Sequence, residues 1–351
     1  MEFMEHCKLD NRREGSDIHA PHATFSWATQ MLRSVLGVFL FCVGSFCYAL
    51  LGILSQLSKS PDGSYAYSLP SVVLLAEITK LVISFCLLTA RMGGVYQALQ
   101  DVLRTSPKSW LAFAFPSALY SLNNNLDMLN NQHMDPATEQ VLVQAKILTT
   151  GLVWWWVFGR EMGFRKWCGL LLLFLGAVSA GWPSDSTLGK RMHIDSFGVV
   201  LVILYVWVSA SAGVYNEWLY KGIGKDDNIH TCNIRIYVIG SAVNLAAHLS
   251  HKPVMSSLFS LTEGYNQYCW ALVVTYSLMG LLLAQVMKFF DSIVKLFISG
   301  SSMYVSAVLS GMIFGYTPTW NFLAGMALVT FAMVLYNLEH IKLFLTKPKE
   351  Q

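Results

Sequence analysis

Lys146 is the residue whose position most demands a chemical explanation. It lies in MDPATEQVLVQAKILTTGLVWWWVFGRE, Met134–Glu161, a stretch long enough to cross a bilayer. A cation there costs roughly 3 to 10 kcal/mol or more unless it meets a counter-charge or a wet cavity. Roughly 150 residues later the pattern returns, VQAKILTTG at Val143–Gly151 being echoed by SIVKLFISG at Ser292–Gly300, so that Lys295 repeats Lys146. Two ammonium groups in corresponding spans suit an anion such as phosphate, because charge-assisted hydrogen bonds are the strong ones. They also suggest one central polar site built by an internal repeat. Glu139, Val143, Lys146 and Thr150 follow i, i+4, i+7, i+11 spacing and form one helical stripe. The bland reading is that Lys146 merely neutralises Glu139 or Glu77. Against it stands the second copy at Lys295, with Asp291 one turn before it.

Other polar residues sit in apolar surroundings. Glu77 and Lys80, in AEITKLVIS, are three apart and share a helix face; they read either as an internal ion pair or as part of a gate or cavity wall. LYSLNNNLDMLNN carries Asn123, Asn124 and Asn125, with Tyr120 about one turn earlier. Amides are costly in lipid unless hydrogen-bonded. They can read a base edge or a ribose while Tyr120 stacks on a base, or they can simply join helices. Ser209, Ser211 and Gly213 permit close helix approach or expose backbone to a ligand. In NIRIYVIG, Arg235 reads as a cation snorkelling from a span end, and Tyr237 as a residue able to face a cavity. Trp154–Trp156 reads as an interfacial belt.

These residues must be positioned by membrane helices. A span needs about 20 apolar residues, and ten segments qualify: 34–54, 68–90, 111–130, 136–158, 166–182, 196–219, 228–250, 268–287, 289–314 and 318–336. With the N-terminus inside, the inner segments hold sixteen Lys and Arg and the outer loops four, Lys59, Lys190, Arg191 and Lys252. By the positive-inside rule both termini are then cytosolic. The expected fold is an all-α membrane protein of ten transmembrane helices in two inverted five-helix repeats, 34–190 and 191–338. A disordered cytosolic tail over 1–33 and a cytosolic tail over 339–351 flank them. Five spans per half is an odd number, so the halves insert with opposite topology.

Composition agrees. The chain has 351 residues, 54% of them hydrophobic and 13% charged, against about 25% charged in soluble domains. A net charge of +3 gives no argument for nucleic acid. The seven cysteines follow no metal or disulfide spacing, and the nine histidines show no HExxH. No nucleophile elbow, Walker loop or paired-carboxylate motif appears, which argues against a membrane enzyme and for no metal and no cofactor.

Several blocks, in order, then carry a resemblance: VLLAEITKL (73–81), LYSLNNNL (119–126), MDPATEQVLVQAKILTT (134–150), SAGVYNEWLYK (211–221), NIRIY (233–237) and GLLLAQVMKFFDSIVKLFISGSSM (280–303). Through them the chain resembles the nucleotide-sugar transporters of the drug/metabolite transporter superfamily, in the branch of the CMP-sialic acid and UDP-galactose carriers. The NNNL and MDPAT forms are most like the UDP-sugar transporter members of that branch. The resemblance implies ten helices, cytosolic termini and exchange of a cytosolic pyrimidine nucleotide sugar for lumenal nucleoside monophosphate. It further implies that Lys146 and Lys295 neutralise phosphate, that Tyr120, Asn124 and Asn125 lie on the nucleotide side, and that Ser209, Gly213 and Tyr237 form the opposing wall.

Two positions depart from the family. Glu139 stands where a cavity-facing tyrosine is usual, and an acid there would repel a sugar phosphate or recruit a proton or a cationic group. Arg235 stands where the family has glutamine. The end, KPKEQ, resembles a dilysine retrieval signal through Lys347 and Lys349, whose reader is the COPI coat; a basic, snorkelling helix end is the alternative. Expected partners are therefore the nucleotide sugar, the monophosphate, membrane lipid, a second copy of the chain and that coat. The expected location is the Golgi membrane, with cycling through the endoplasmic reticulum. Competing readings are a transport-deficient scaffold of Golgi glycosylation complexes and a carrier of another phosphorylated metabolite.

Overall fold

The computed structural model describes residues 27–61, 65–133, 141–159, 162–182, 196–250, 261–315 and 317–345. Among them the regular structure is entirely helical. The helices are α1 (Trp27–Leu57), α2 (Leu69–Met92), α3 (Val95–Leu103), α4 (Pro107–His133), α5 (Lys146–Phe158), α6 (Phe164–Gly181), α7 (Ser196–Lys221), α8 (Ile229–Ser250), α9 (Gln267–Phe289), α10 (Ser292–Phe314) and α11 (Trp320–Leu345), with one 3₁₀ turn at Val143–Ala145.

Seven of these helices are long and apolar enough to cross a membrane: Val35–Leu57, Leu69–Met92, Phe164–Gly181, Phe197–Lys221, Gln267–Phe289, Ser292–Phe314 and Trp320–Leu338. The three other expected spans contain α4, α5 and α8, and each differs for a visible reason. The asparagines of α4 and the Asn, Arg and His side chains of α8 dilute their apolar character. In the fourth span α5 is 13 residues long, the 3₁₀ turn and helical residues 141–142 come before it, and residues 134–140 lie outside those described. The ends also differ from expectation. Helix α1 starts at Trp27, inside the expected N-terminal tail, and α11 runs to Leu345, past the expected boundary at 338. Leu, Glu, Lys and Phe continue the α11 helix readily.

Sequence positions that end helices do so through backbone geometry. Pro at the start of α2 and αL glycines at Gly93, Gly159 and Gly315 punctuate α2, α5 and α10. Between α9 and α10 the break is only Phe290 and Asp291. The Asp291 carboxylate caps α10 by accepting the Val294 N–H at 2.8 Å.

Contacts divide the chain into two compact units. One is built from Met1–Phe41, Leu126–Val214 and Thr317–Gln351, the other from Cys42–Asn125 and Tyr215–Tyr316. In the first, α6 packs along α11, and α5 packs on α6. Small residues set the α6–α11 spacing. A Cβ on Gly176 would lie 2.9 Å from the Gly325 carbonyl oxygen, and one on Gly325 would lie 2.6 Å from the Gly176 carbonyl oxygen. Such backbone-to-backbone approach is how helices gain dispersion energy in lipid, where no hydrophobic force drives them together. Gly325→Leu should therefore separate the pair, costing about 1–3 kcal/mol by overpacking, and should lower the midpoint of thermal unfolding of the purified protein. A leucine at neighbouring Ala324 serves as the control.

In the second unit, α2 packs on α8 and α9, α3 on α2 and α8, and α9 on α10. The end of α1 meets α10, with Ser45 Oγ donating to the Ile298 carbonyl at 3.1 Å. At one end Tyr65, Tyr67 and Tyr265 stack edge to face, and each hydroxyl pairs with a serine: Ser55, Ser58 and Ser71. Burial pushes the Tyr67 phenol up to about 12, with the Ser58 hydrogen bond opposing it. Gly264 closes this corner at φ +77°, where a Cβ would collide with the Ala66 carbonyl.

Candidate substrate-binding residues

Lys146 opens α5 directly after the 3₁₀ turn, at the junction of two helical pitches. It is half-buried, and its carbonyl accepts from Thr150 Oγ1 at 2.6 Å. Thr149 Oγ1 is placed between two acceptors, the Ala145 carbonyl at 3.3 Å and the Val206 carbonyl on α7 at 3.4 Å. Val143 and Ala145 pack against Leu126, Leu201, Tyr205 and Val206. The segment that carries Lys146 is thus fastened to α7 by both a hydroxyl bridge and an apolar cluster. Thr150, on the expected stripe, is spent on its own helix backbone.

Lys295 occupies the first turn of α10, nearer the helix start than Lys146's place in its long apolar stretch suggested for the pair. Its helix start is held by two carboxylates. Asp291 caps it, and Glu217 of α7, only 1% exposed, accepts both the Ser292 N–H and the Ser292 hydroxyl on Oε2 at 2.7 Å each. The other Glu217 oxygen takes Lys221 Nζ at 2.7 Å. A buried carboxylate with three charge-compatible donors is fully satisfied. Sequence spacing offered one signal for it, the i, i+4 lysine, but nothing that pointed to α10.

Several tyrosines of the second unit interact with charged residues or with one another. Tyr48 of α1 lies within electrostatic reach of Lys295 and Tyr120, and Tyr220 within reach of Tyr237, Tyr120 and Glu77. Sequence spacing does not single out Tyr48 and Tyr220. Tyr220 donates to Asn233 Oδ1 at 2.6 Å. Tyr237 is buried, and among the described residues its hydroxyl has no hydrogen-bond partner. Lys80 Nζ sits 4.6 Å from the centre of the Tyr237 ring and bonds Glu77 Oε1 at 2.6 Å, the pairing expected from their spacing. Among the described residues Glu77 Oε2 is buried without a partner, as is Asn123 Oδ1. Glycines make room for the ion pair: a Cβ on Gly280 would lie 2.5 Å from Lys80 Cδ, and one on Gly240 would lie 3.1 Å from Glu77 Oε2.

Ser209 is half-buried and Gly213 buried on α7, and a Cβ added to Gly213 would meet nothing within 4 Å. Open space beside a buried glycine fits a wall that faces a cavity. Asn124 and Asn125 lie on α4, but their side chains fall outside the described residues. Glu139, Lys347 and Lys349 also lie outside the described residues.

Arg235 corrects the sequence expectation. It does not snorkel: it is 1% exposed. Its guanidinium donates to Asp227 Oδ2 at 2.6 Å, to Thr105 Oγ1 and to Ser109 Oγ, and lies 5.2 Å from the Phe113 ring centre. Lys288 Nζ closes the same loop by donating to the Gly224 and Asp227 carbonyls at 3.2 and 2.6 Å. Arginine here ties the α7–α8 loop to the start of α4. Arg235→Lys keeps the charge but not the planar fork, and should cost about 2 kcal/mol, read as a lower melting temperature with substrate affinity unchanged.

A family model described as nucleotide-sugar transporter matches residues 33–337. The chain belongs to the nucleotide-sugar transporter family. It is 36% identical over 77% of its length to the probable UDP-sugar transporter protein of Danio rerio, covering 84% of that protein. It is 31% identical over 77% to the human UDP-N-acetylglucosamine transporter, covering 85% of it, and 28% identical over 81% to CMP-sialic acid transporter 1 of Arabidopsis thaliana, covering 85%. A protein of known crystal structure, 12% identical, aligns over 88% of this chain and 98% of its own with a TM-score of 0.64, which speaks for a shared fold. As a nucleotide-sugar transporter family member the protein is a multi-span membrane carrier and not an enzyme, so its buried ion pairs and spare hydrogen-bonding groups serve binding and gating or packing, not bond-making. Within this nucleotide-sugar transporter Lys146 belongs to the first unit and Lys295 to the second.

Proposed function

We propose that this transporter exchanges a cytosolic pyrimidine nucleotide sugar, of the UDP-sugar or CMP-sialic acid type, for lumenal nucleoside monophosphate by alternating access. The observation that carries the reading is the repeated lysine: Lys146 opens α5 and Lys295 lies in the first turn of α10. The Lys295 ammonium lies beside the positive end of the α10 helix dipole, an arrangement suited to phosphate, while Lys146 follows a 3₁₀ turn within a continuous helical run. The relatives, UDP-sugar and CMP-sialic acid transporters, support the class, since uridine and cytidine are both pyrimidines. Lys146 and Lys295 hold the phosphates. Tyr120, Asn124 and Asn125 take the base and ribose, and Ser209, Gly213 and Tyr237 form the facing wall. The orphaned Tyr237 hydroxyl and the space beside Gly213 support that assignment. Glu77 and Lys80 serve as a gate, and Glu139 tunes which sugar is accepted.

The same reading takes the ten spans as two inverted repeats, 34–190 and 191–338, with both termini cytosolic, rocking about the site. It places the protein in the Golgi membrane, cycling through the endoplasmic reticulum by COPI recognition of Lys347 and Lys349, and as a homodimer. Counterflow in proteoliposomes tests the core of it. Purified protein is preloaded with UMP or CMP and offered labelled nucleotide sugars. Exchange with one pyrimidine class is the expected result. Absence of exchange with every one, from folded protein, overturns it and leaves the scaffold as the reading to pursue.

A further inference from the structure

Helix α3 belongs to none of the machinery above. Its nine residues, Val95–Leu103, rise about 13 Å, too short to cross a hydrocarbon core of about 30 Å. Its residues nonetheless sort onto three faces. At about 100° per residue, Val95, Tyr96, Leu99 and Leu103 fall on one arc, Gln97 and Gln100 on a second, and Ala98, Asp101 and Val102 on a third. The third face is docked on the protein: Ala98 and Val102 are buried against Leu88 of α2 and Ile234 of α8, and Asp101 Oδ2 accepts from Thr231 of α8. The first face is apolar and open, with Val95 60%, Tyr96 69%, Leu99 46% and Leu103 69% exposed.

An ordinary surface helix hides its apolar face and shows its polar one. Here the docked, apolar and polar faces follow one another round the helix. That is the arrangement of a helix with protein on one side, hydrocarbon on the next and water on the third. The open face is also continuous with a bilayer edge, because α2 is a membrane span ending at Met92 and only Gly93 and Gly94 separate it from α3. Three exposed cations flank it along the chain, Arg91 at the end of α2, Arg104 at the end of α3 and Lys108 at the start of α4. The acid nearby in sequence, Asp101, is already engaged.

We propose that α3 is an interfacial helix. It seats Val95, Tyr96, Leu99 and Leu103 at the acyl boundary of the leaflet where α2 ends, and it gathers anionic phospholipid headgroups through Arg91, Arg104 and Lys108. The attraction of basic residues to anionic leaflets supplies the headgroup preference, and the long Arg and Lys stems let the charges reach headgroup level.

The test uses the full chain, cysteine-free except for one nitroxide at Leu99→Cys or at Gln97→Cys. It is reconstituted in phosphatidylcholine with or without about one-fifth phosphatidylserine. The label at 99 should be accessible to oxygen and shielded from an aqueous nickel relaxant, and the label at 97 the reverse. Equal aqueous access at both positions overturns the proposal. So does a label at 99 shielded from both relaxants, which would mean that a protein, whether a second copy or another partner, covers the face. In parallel, Arg104→Gln with Lys108→Gln should reduce retention of labelled phosphatidylserine through a detergent wash at least threefold relative to the unsubstituted chain. Unchanged retention overturns the headgroup assignment.

Discussion

Lys146→Gln and Lys295→Gln should each abolish measurable exchange in proteoliposomes, a loss of at least about 100-fold, while the purified proteins keep their melting temperatures. An ammonium–phosphate contact in a low-dielectric site contributes more than a neutral hydrogen bond because both partners are charged. On the proposed function, removing one of the two cations would leave a buried phosphate half-neutralised, and penalties of that kind reach roughly 3–5 kcal/mol. At about 1.4 kcal/mol per factor of ten, this is 100-fold or more. The measurement is counterflow against a pyrimidine monophosphate gradient, with Lys→Arg as a second substitution. Arginine keeps the charge but changes its reach and hydration, so it should retain part of the activity. Intact exchange in either glutamine variant would remove the phosphate role from that lysine.

The second large effect is expected at Glu217. Glu217→Ala leaves the Ser292 N–H and hydroxyl without their acceptor and Lys221 without its counter-charge. Breaking a buried charged network from one side typically costs about 3–5 kcal/mol, enough to remove much of a marginal stability. Glu217→Gln preserves one acceptor oxygen and should cost less. It should fold, and it should raise the apparent KM for nucleotide sugar, because Ser292 is three residues before Lys295 in the same helical turn and its anchorage sets where the ammonium sits. Expression and melting temperature separate the alanine from the glutamine variant. If both variants melted like the unsubstituted protein, the clamp would have no structural weight.

The membrane class, seven of the spans and the Glu77–Lys80 pair were legible because each rests on local information, a run of apolar residues or two charges three apart. What the sequence concealed was set by partners distant along the chain. Arg235 looked like a snorkelling cation because Thr105 and Ser109, which bind it, lie about 130 residues upstream. Glu217 does not stand out in the sequence because Ser292, its partner, is 75 residues away. Helix α3 escaped notice for another reason. A window of about 20 residues averages a nine-residue helix into its neighbours, so its apolar arc is lost beside the longer spans. The lysine pair was legible as a repeat, yet only the structure put Lys295 in the first turn of a helix and Lys146 directly after a change of helical pitch.

The glycine seam between α6 and α11 has a consequence for how the protein is made. Trp320 at the start of α11 follows Gly181 at the end of α6 by 139 positions. At roughly 5–20 residues per second of synthesis, α6 waits about 7–28 s for its partner. During that interval the α6 face around Gly176 has no partner, and lipid tails cover it poorly while a stray helix could fill it wrongly. The protein is therefore most exposed to insertion-stage quality control between the emergence of these two helices. Substitutions that slow the arrival of α11 should reduce the amount of carrier without altering the turnover of each molecule that matures.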